Sequence, residues 1–265
     1  MKSNEPGEGV AEAGAAKPRV AGDCGAARRR AVPPRAGRKA HTVRLGAPGR
    51  AATLVLLPQT RGLVIWTRMR PGDHCLAAGP VDPVDFVSVM ARHGLATLCL
   101  DPPEADGAGS RPAAAAIQPA RGSRDEVMRL VAETMDALDW VAGRADLSGL
   151  RTALCAPDLA AAAALVASTQ RPAHIAAVVG RSGRPDLAGQ ALGRVSVPTL
   201  LIVGGEDTET VRLNRQALQA LNCEKRLEVV PGAGPCFMEP GARATMLHLA
   251  AEWLADRLGG GSARH

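Results

Sequence analysis

The sequence contains few of the patterns that mark membrane, secreted or metal-binding proteins. No apolar run is long enough to cross a bilayer, and no short apolar stretch follows a basic start, as a secretory signal would require. The six cysteines show no C-x-x-C spacing and lie mostly among apolar residues, which is typical of reduced thiols in a cytoplasm and not of structural zinc. We therefore expect a cytoplasmic protein without a membrane segment, a metal ion or a cofactor.

Basic charge is concentrated near the amino terminus. Residues 1–50 contain 11 Lys and Arg against 4 Asp and Glu, whereas the rest of the chain contains 21 against 22. The first 40 residues carry only three strongly apolar side chains, too few to offset the loss of chain entropy on folding. We therefore predict that 1–40 is a disordered basic tail, favoured to be a solvated flexible arm, with weak polyanion binding as the alternative. No nucleic-acid surface is expected on the domain. Residues 259–265 are predicted to be a disordered carboxyl terminus.

Between residues 41 and 258, short apolar runs alternate with longer segments of helical period. This alternation predicts one α/β domain with a doubly wound, mainly parallel sheet covered by helices on both faces. The interior strands are nearly continuous in aliphatic residues, as strands buried on both faces should be. The predicted strands are 41–45, 53–58, 96–101, 151–156, 175–180, 198–204 and 225–230, and the predicted helices are 83–93, 124–143, 159–169, 208–222 and 239–258.

In such sheets, ligands bind beyond the carboxyl ends of the strands, where the connecting loops converge. The loops expected at this edge follow residues 58, 101, 156, 180, 204 and 230. They contain P-Q-T-R-G, D-P-P-E-A-D-G, A-P-D-L-A, R-S-G-R-P-D-L-A-G, G-E-D-T-E and P-G-A-G-P-C-F. The candidate functional residues are therefore sought in these six segments.

Several of these segments resemble the dienelactone-hydrolase-like branch of the α/β-hydrolases. The resemblance rests on P-T-L-L-I-V-G-G-E-D, L-N-R-Q-A-L, C-E-K-R-L-E-V-V-P-G-A and V-V-G-R-S-G-R-P-D-L-A-G, and it covers about residues 50–257. It implies an α/β-hydrolase fold and hydrolysis of esters or lactones. Members similar to it use a serine on a G-x-S-x-G elbow, an acid after a late strand and a histidine after the last strand.

The resemblance implies that most of the family's catalytic positions have changed. The acid position falls on Asp207, which is present. The elbow aligns with A-P-D-L-A, so Asp158 replaces the serine and alanines replace the flanking glycines. The histidine position is filled by Pro235.

The resemblance also implies where a ligand would be held. The loop after the first central strand places one oxyanion-hole position at Thr60, and the residue after the elbow places the other at Leu159. The expected ligand is a small anionic or ester-like molecule. Its predicted contacts are Gln59, Arg61, Arg181 and Arg184.

The chemistry of the changed positions opposes the family mechanism. Aspartate can attack without a base, but the resulting covalent ester must be hydrolysed by a water that a histidine activates, and Pro235 has no proton-accepting group. Among the histidines of the chain, His74 is the one expected in a loop where it could substitute. We therefore favour a role for Asp158 in capping the following helix, in a relaxed turn without glycine, and the same role is open to Asp207.

Three other side chains were candidates for nucleophiles. Cys155 is expected to be a buried apolar thiol, and Cys236 is expected to pack beside Phe237. Ser182 lies in G-R-S-G, which is superficially like an elbow. Its segment is interpreted as a charge network that fixes the loop, formed by Arg181, Arg184 and Asp186.

These observations favour a non-catalytic binding or interaction module on a hydrolase fold. One alternative is an active hydrolase of small esters or lactones, with Asp158 as nucleophile and a non-standard base such as His74. Another is weak polyanion binding through the basic tail. The natural ligand and the oligomeric state do not follow from the sequence.

Overall fold

The computed structural model of the chain describes residues 37–46, 49–68, 81–101 and 124–259. Most of the predicted basic tail, the terminal segment after residue 259 and His74 lie outside these ranges, so polyanion binding by the tail stays a prediction. The first strand begins at Lys39, two residues before the predicted start of the domain. No helix in the described ranges is both long and apolar enough to span a membrane.

The described ranges form one sheet of eight strands, one more than predicted, together with the five predicted α-helices. The strand order is β1-β2-β4-β3-β5-β6-β7-β8; β1 and β2 run antiparallel to their neighbours and the other pairs are parallel. This arrangement confirms the doubly wound, mainly parallel sheet. The strands are β1 Lys39–Leu45, β2 Arg50–Leu56, β3 Gly62–Thr67, β4 Leu95–Leu100, β5 Thr152–Pro157, β6 Ile175–Arg181, β7 Thr199–Gly204 and β8 Lys225–Val230, and the helices are α1 Pro83–Arg92, α2 Arg124–Ala142, α3 Asp158–Gln170, α4 Thr208–Ala220 and α5 Ala242–Leu258.

Strand β3 was missed by the sequence interpretation, although all six of its residues are buried. The strand predicted at 53–58 corresponds to β2, which pairs antiparallel with β4. The carboxyl end of β2 therefore lies at the edge of the sheet where the parallel strands begin, called here the amino edge. The opposite edge, where β3 to β8 end, is called the carboxyl edge.

Two hydrophobic cores lie on opposite faces of the sheet because side chains alternate along each strand. In β3, Leu63 and Ile65 pack in the core that α2 and α3 cover. Val64 and Trp66 face the other core, which α1 and α5 cover. The continuous apolar character of the strands thus reflects burial on both faces, as predicted.

Candidate functional site

The residue at the junction of β5 and α3 is Asp158, and its backbone adopts a φ of +47°. A side-chain-bearing residue rarely adopts a positive φ, because Cβ then crowds the neighbouring carbonyl oxygen. Pro157 occupies the N-cap position of α3 and provides no side-chain cap, so Asp158 is the first helical residue and not the cap. The expectation of a relaxed turn is therefore wrong, and the strained geometry of an elbow is present.

The space for this tight turn comes from one glycine in the neighbouring strand β6 and one in the loop that follows it. A Cβ on Gly183 would lie 2.5 Å from the Cβ of Ala161, and one on Gly180 would lie 3.3 Å from the same atom. These contacts show that α3 packs closely against β6 through small residues on both sides. The elbow segment A-P-D-L-A contains no glycine, and the structure places the glycines that allow the tight turn beside the elbow instead.

Backbone strain in the described ranges is confined to the carboxyl edge. The three non-glycine residues with positive φ there are Asp158 after β5, Ser182 after β6 (+40°) and Phe237 after β8 (+51°). The register pairs Pro157 with Arg181, so Asp158 and Ser182 follow adjacent positions on adjacent strands. The hydroxyl oxygen of Ser182 is buried and has no hydrogen-bond partner among the described residues. Strained residues persist where the surrounding structure holds them, and they cluster at functional sites.

The predicted charge network at this edge forms only in part. The Arg184 guanidinium donates two hydrogen bonds to the Asp186 carboxylate, at 2.9 and 2.8 Å, and its backbone N–H donates to the Asp158 carbonyl at 3.1 Å. The hydrogen bonds that Arg184 donates to the Asp186 carboxylate raise the pKa of Arg184. Arg181 makes no ion pair with any residue in the described ranges, so it does not belong to this network.

Burial has the largest effect on the pKa of Arg181 and lowers it. The Cys155 thiol and the Asp158 carboxyl raise that pKa, whereas the positive charge of Arg243 lowers it. Cys155 itself is buried, and burial raises the pKa of its thiol to about 12. It is therefore an uncharged thiol at neutral pH, as the sequence predicts, and not a reactive nucleophile.

Asp207, at the acid position, caps α4. Its carboxylate accepts a hydrogen bond from the backbone N–H of Thr210 at 3.1 Å, which agrees with the capping role considered from the sequence. Its segment is tied to the loop after β8, because the Glu206 N–H donates to the Ala233 carbonyl at 3.0 Å. The acid position and the histidine position therefore lie in adjoining loops at the carboxyl edge.

Pro235 is exposed in the loop after β8. This loop packs directly on the end of β7: a Cβ on Gly204 would lie 2.3 Å from the Gly234 carbonyl oxygen. Cys236 is disulfide-bonded, so the expectation of a reduced thiol is wrong at this position, and Cys236 is not a free nucleophile. Phe237 is 1% exposed and anchors the end of the loop in the core.

No histidine in the described ranges lies at the carboxyl edge. His93 ends α1, and its ring lies 6.4 Å from that of His248, between ring centroids. His93 also lines a cavity of the amino edge. His174 precedes β6 and His41 lies on the exposed edge strand β1. His74 lies outside the described ranges.

Three predicted site residues lie at the wrong edge of the sheet: Gln59, Thr60 and Arg61. Arg61 donates its backbone N–H to the carbonyl of Gly94, which precedes β4, at 2.8 Å. The Thr60 hydroxyl donates to the Leu57 carbonyl at 3.1 Å. These residues connect β2 to β3 at the amino edge, because β2 runs antiparallel to β4. The predicted oxyanion-hole role of Thr60 and the predicted ligand contacts of Gln59 and Arg61 are therefore wrong.

The chain segment that leaves β3 at the carboxyl edge begins with Arg68 instead. Its guanidinium pairs with the carboxylate of Asp101, which follows β4, at 2.6 Å. Leu159, the other predicted oxyanion-hole position, lies in the first turn of α3 directly after Asp158. The hydrophobic run of β3 is visible in the sequence. Predicting a strand there would have placed Arg68, which follows it, at the carboxyl edge.

The structure is similar to solved structures of esterases and related hydrolases. A dienelactone hydrolase from Anabaena variabilis matches with a TM-score of 0.68 and 30% identity, over 83% of this chain and 97% of that protein. A dienelactone hydrolase-like promiscuous phosphotriesterase from metagenomic libraries matches with a TM-score of 0.62 and 18% identity, over 83% and 99% of the two chains. Est1E from Butyrivibrio proteoclasticus matches with a TM-score of 0.58 and 10% identity, over the same shares. The last two likenesses show the fold alone.

No family model matches the sequence. A protein of Mycobacterium tuberculosis, named "Putative phosphoribosyl transferase", is 40% identical over 135 residues, and its counterpart in a second strain matches equally. The matched residues make up 51% of this chain and 30% of that relative, so the chain spans less than a third of the relative's length. The solved dienelactone hydrolase, by contrast, is matched over nearly its full length. The chain therefore belongs to the dienelactone-hydrolase-like branch of the α/β-hydrolase superfamily.

Proposed function

We propose that this protein is a ligand-binding member of the dienelactone-hydrolase family that does not perform serine hydrolysis. The observation that carries the proposal is the elbow itself, where Asp158 occupies the strained position between β5 and α3. A carboxylate cannot replace a hydroxyl that a histidine activates. The loop after β8 offers Pro235, which can neither accept nor donate a proton through its side chain.

The carboxyl edge nevertheless keeps features of a binding site. The three strained side-chain-bearing residues of the described ranges converge there, and so does Arg181, which has no ion pair with described residues. A capping residue does not require a positive φ, so helix capping alone does not account for the conformation of Asp158. The bound molecule is proposed to be small and anionic, with Arg181 and Arg184 as its cationic contacts. The proposal also covers a partner protein that binds at this edge in place of the small molecule.

The test is a pair of measurements on the purified full chain. We expect no burst and no turnover with an activated aryl ester, and no covalent label from a fluorophosphonate probe, which reports activated serines. Asp158→Ala serves as the matched variant, because it removes the carboxylate and leaves the other residues of the edge in place. Steady turnover that disappears in Asp158→Ala would contradict the proposal.

A second candidate is hydrolysis with Asp158 as the nucleophile, and the retained strain of the elbow favours it. A carboxylate oxygen would attack the electrophilic carbon and expel the leaving group, and water would then cleave the covalent intermediate. Asp158→Asn keeps the shape of the side chain and removes its charge, so it should abolish this activity. Intact-protein mass spectrometry after exposure to substrate would reveal the covalent adduct on the unmodified chain.

Transferase chemistry is not part of the proposal. The name of the Mycobacterium tuberculosis relative describes a protein of which this chain covers 30%. The described residues form the sheet and helices of a hydrolase domain. The transferase name therefore gives no role to the residues of this chain.

A further inference from the structure

Two methionine side chains are exposed in the described ranges, and their sulfur atoms have different surroundings. Met238, in the loop after β8, is 47% exposed, and Met128, on α2, is 45% exposed. The guanidinium of Arg243 donates a hydrogen bond to the Sδ atom of Met238, at 2.9 Å. The Met128 sulfur has no hydrogen-bond partner in the part of the chain that the structure describes. The two side chains are thus equally open to solvent, but they differ in contact with a cationic donor.

The contact between Met238 and Arg243 joins two anchored segments of the carboxyl edge. Phe237, which precedes Met238, is 1% exposed and has a φ of +51°. Its backbone N–H donates to the Gly234 carbonyl at 3.2 Å. Arg243 lies in the first turn of α5, which begins at Ala242. The packing on both sides therefore keeps the guanidinium close to the sulfur.

An exposed thioether reacts with hydrogen peroxide to give a sulfoxide. A sulfur lone pair attacks one oxygen of the peroxide, so that an S–O bond forms and the O–O bond breaks. The departing oxygen takes up the proton that the newly bound oxygen releases, and the products are the sulfoxide and water. Negative charge develops on the departing oxygen, and a cationic hydrogen-bond donor beside the sulfur stabilises that charge. Sulfur has a second lone pair, so the hydrogen bond from Arg243 does not block the attack.

We propose that Met238 is a redox modification site, at which a hydroperoxide converts the thioether into a sulfoxide with the assistance of Arg243. The new oxygen is a stronger acceptor than sulfur and takes over the hydrogen bond from Arg243. Arg243 is close enough to Arg181 for its charge to lower the pKa of Arg181. Oxidation of Met238 therefore alters the surroundings of a ligand contact, a consequence that rests on the proposed binding function.

The test is timed exposure of the full chain to hydrogen peroxide, followed by peptide mass spectrometry, which gives a separate oxidation rate for each methionine. Met128 is the internal reference, because its exposure matches that of Met238. We expect Met238 to react at least about threefold faster, since even a solvent-screened hydrogen bond from a cation lowers the barrier. Met90 and Met246 are buried and should stay unmodified while the protein is folded. Equal rates at Met238 and Met128 would overturn the proposal.

Arg243→Leu removes the donor and its charge, so the rate at Met238 should fall to that of Met128. Arg243→Lys keeps a cationic donor and should keep most of the difference. Arg212→Leu is the matched control, because Arg212 is exposed on α4 and pairs with Glu209, and its rates should equal those of the parent. An unchanged rate at Met238 in Arg243→Leu would contradict the assistance by Arg243.

A salt series on the unmodified chain covers the case in which Arg243→Leu does not fold. Added sodium chloride screens exposed charges, so the ratio of the Met238 rate to the Met128 rate should fall as ionic strength rises. A ratio that does not change with salt would contradict a role for the Arg243 charge. The oxidation rates do not depend on ester turnover, and ester turnover would not change them, so this inference and the proposed loss of serine hydrolysis fail separately.

Discussion

At the scale of single residues, Ser182 combines two unfavourable features. Its φ is +40°, which a side-chain-bearing residue rarely adopts, and its buried hydroxyl oxygen has no hydrogen-bond partner in the part of the chain that the structure describes. Either feature costs about 1–3 kcal/mol in other proteins. Strained residues of this kind cluster at functional sites.

Replacing Ser182 by glycine should therefore stabilise the fold. Ser182→Gly removes both the strained Cβ and the unsatisfied hydroxyl, and we expect the free energy of unfolding to rise by about 1 kcal/mol. Chemical denaturation measures the change. Ser148→Gly is the control: Ser148 is exposed with a φ of −57°, so glycine relieves nothing there and should be neutral or slightly destabilising. A less stable Ser182→Gly protein would show that the side chain makes a stabilising contact.

The buried thiols of Cys99 and Cys155 predict a dependence of stability on alkaline pH. Burial raises the pKa of each from 9.0 to about 12. Between these values the unfolded chain loses protons that the folded chain keeps, so the free energy of unfolding should fall as pH rises from 9 to 12. Denaturation at a series of pH values measures the slope. The double variant Cys99→Ala, Cys155→Ala should show a shallower slope, and an unchanged slope would mean that other groups cause it.

At the scale of elements, the close contact between α3 and the loop that follows β6 holds the elbow in place. A Cβ on Gly183 would lie 2.5 Å from the Cβ of Ala161, and the Gly183 carbonyl also accepts a hydrogen bond from the buried Asn214 amide at 2.9 Å. The strand end thus cannot easily move away from α3. The tight turn at Asp158 depends on this packing.

Gly183→Ala should destabilise the protein by about 1–3 kcal/mol, because overpacking forces helix and strand apart. Denaturant unfolding gives the change. Adding Ala161→Gly to the same chain should restore most of the loss, since it removes the methyl group that clashes. Gly143→Ala is a matched control, because the nearest atom to its new Cβ would lie at 3.5 Å. Failure of Ala161→Gly to restore stability would mean that the clash is not the cause.

The elements themselves were predictable, and their directions were not. Helix α4 follows from the cap at Asp207, and the strands from their continuous apolar runs. The run G-L-V-I-W-T is just as apolar, but it follows another strand after five residues, and local composition does not tell whether consecutive strands run parallel. The antiparallel pairing of β2 with β4 reversed the edge at which Thr60 and Arg61 lie. The strain at Asp158 and Ser182 was equally hidden, because it depends on close packing between chain segments distant in sequence.

At the scale of the whole molecule, the chain keeps the α/β-hydrolase fold of its family, and we propose that it has lost the family's catalytic side chains. The elbow, the loop after β8 and the capped start of α4 still meet at one edge of the sheet. By the family resemblance, two side chains differ: Asp158 stands at the serine position and Pro235 stands at the histidine position. The shared fold does not by itself carry the family's activity to this chain.

Restoring two side chains should therefore restore part of the activity. In Asp158→Ser with Pro235→His, the elbow would present the serine in the strained geometry that the backbone already adopts, and the loop would supply a base. We expect measurable aryl-ester hydrolysis and labelling by a fluorophosphonate probe, where the parent shows neither. The recovered rate should be well below that of a complete triad, because the Asp207 carboxylate already accepts a hydrogen bond from Thr210. Asp158→Ser alone is the control and should remain unlabelled. If the double variant folds but shows neither activity nor label, then the backbone positions at this edge, and not only the side chains, are unsuited to catalysis.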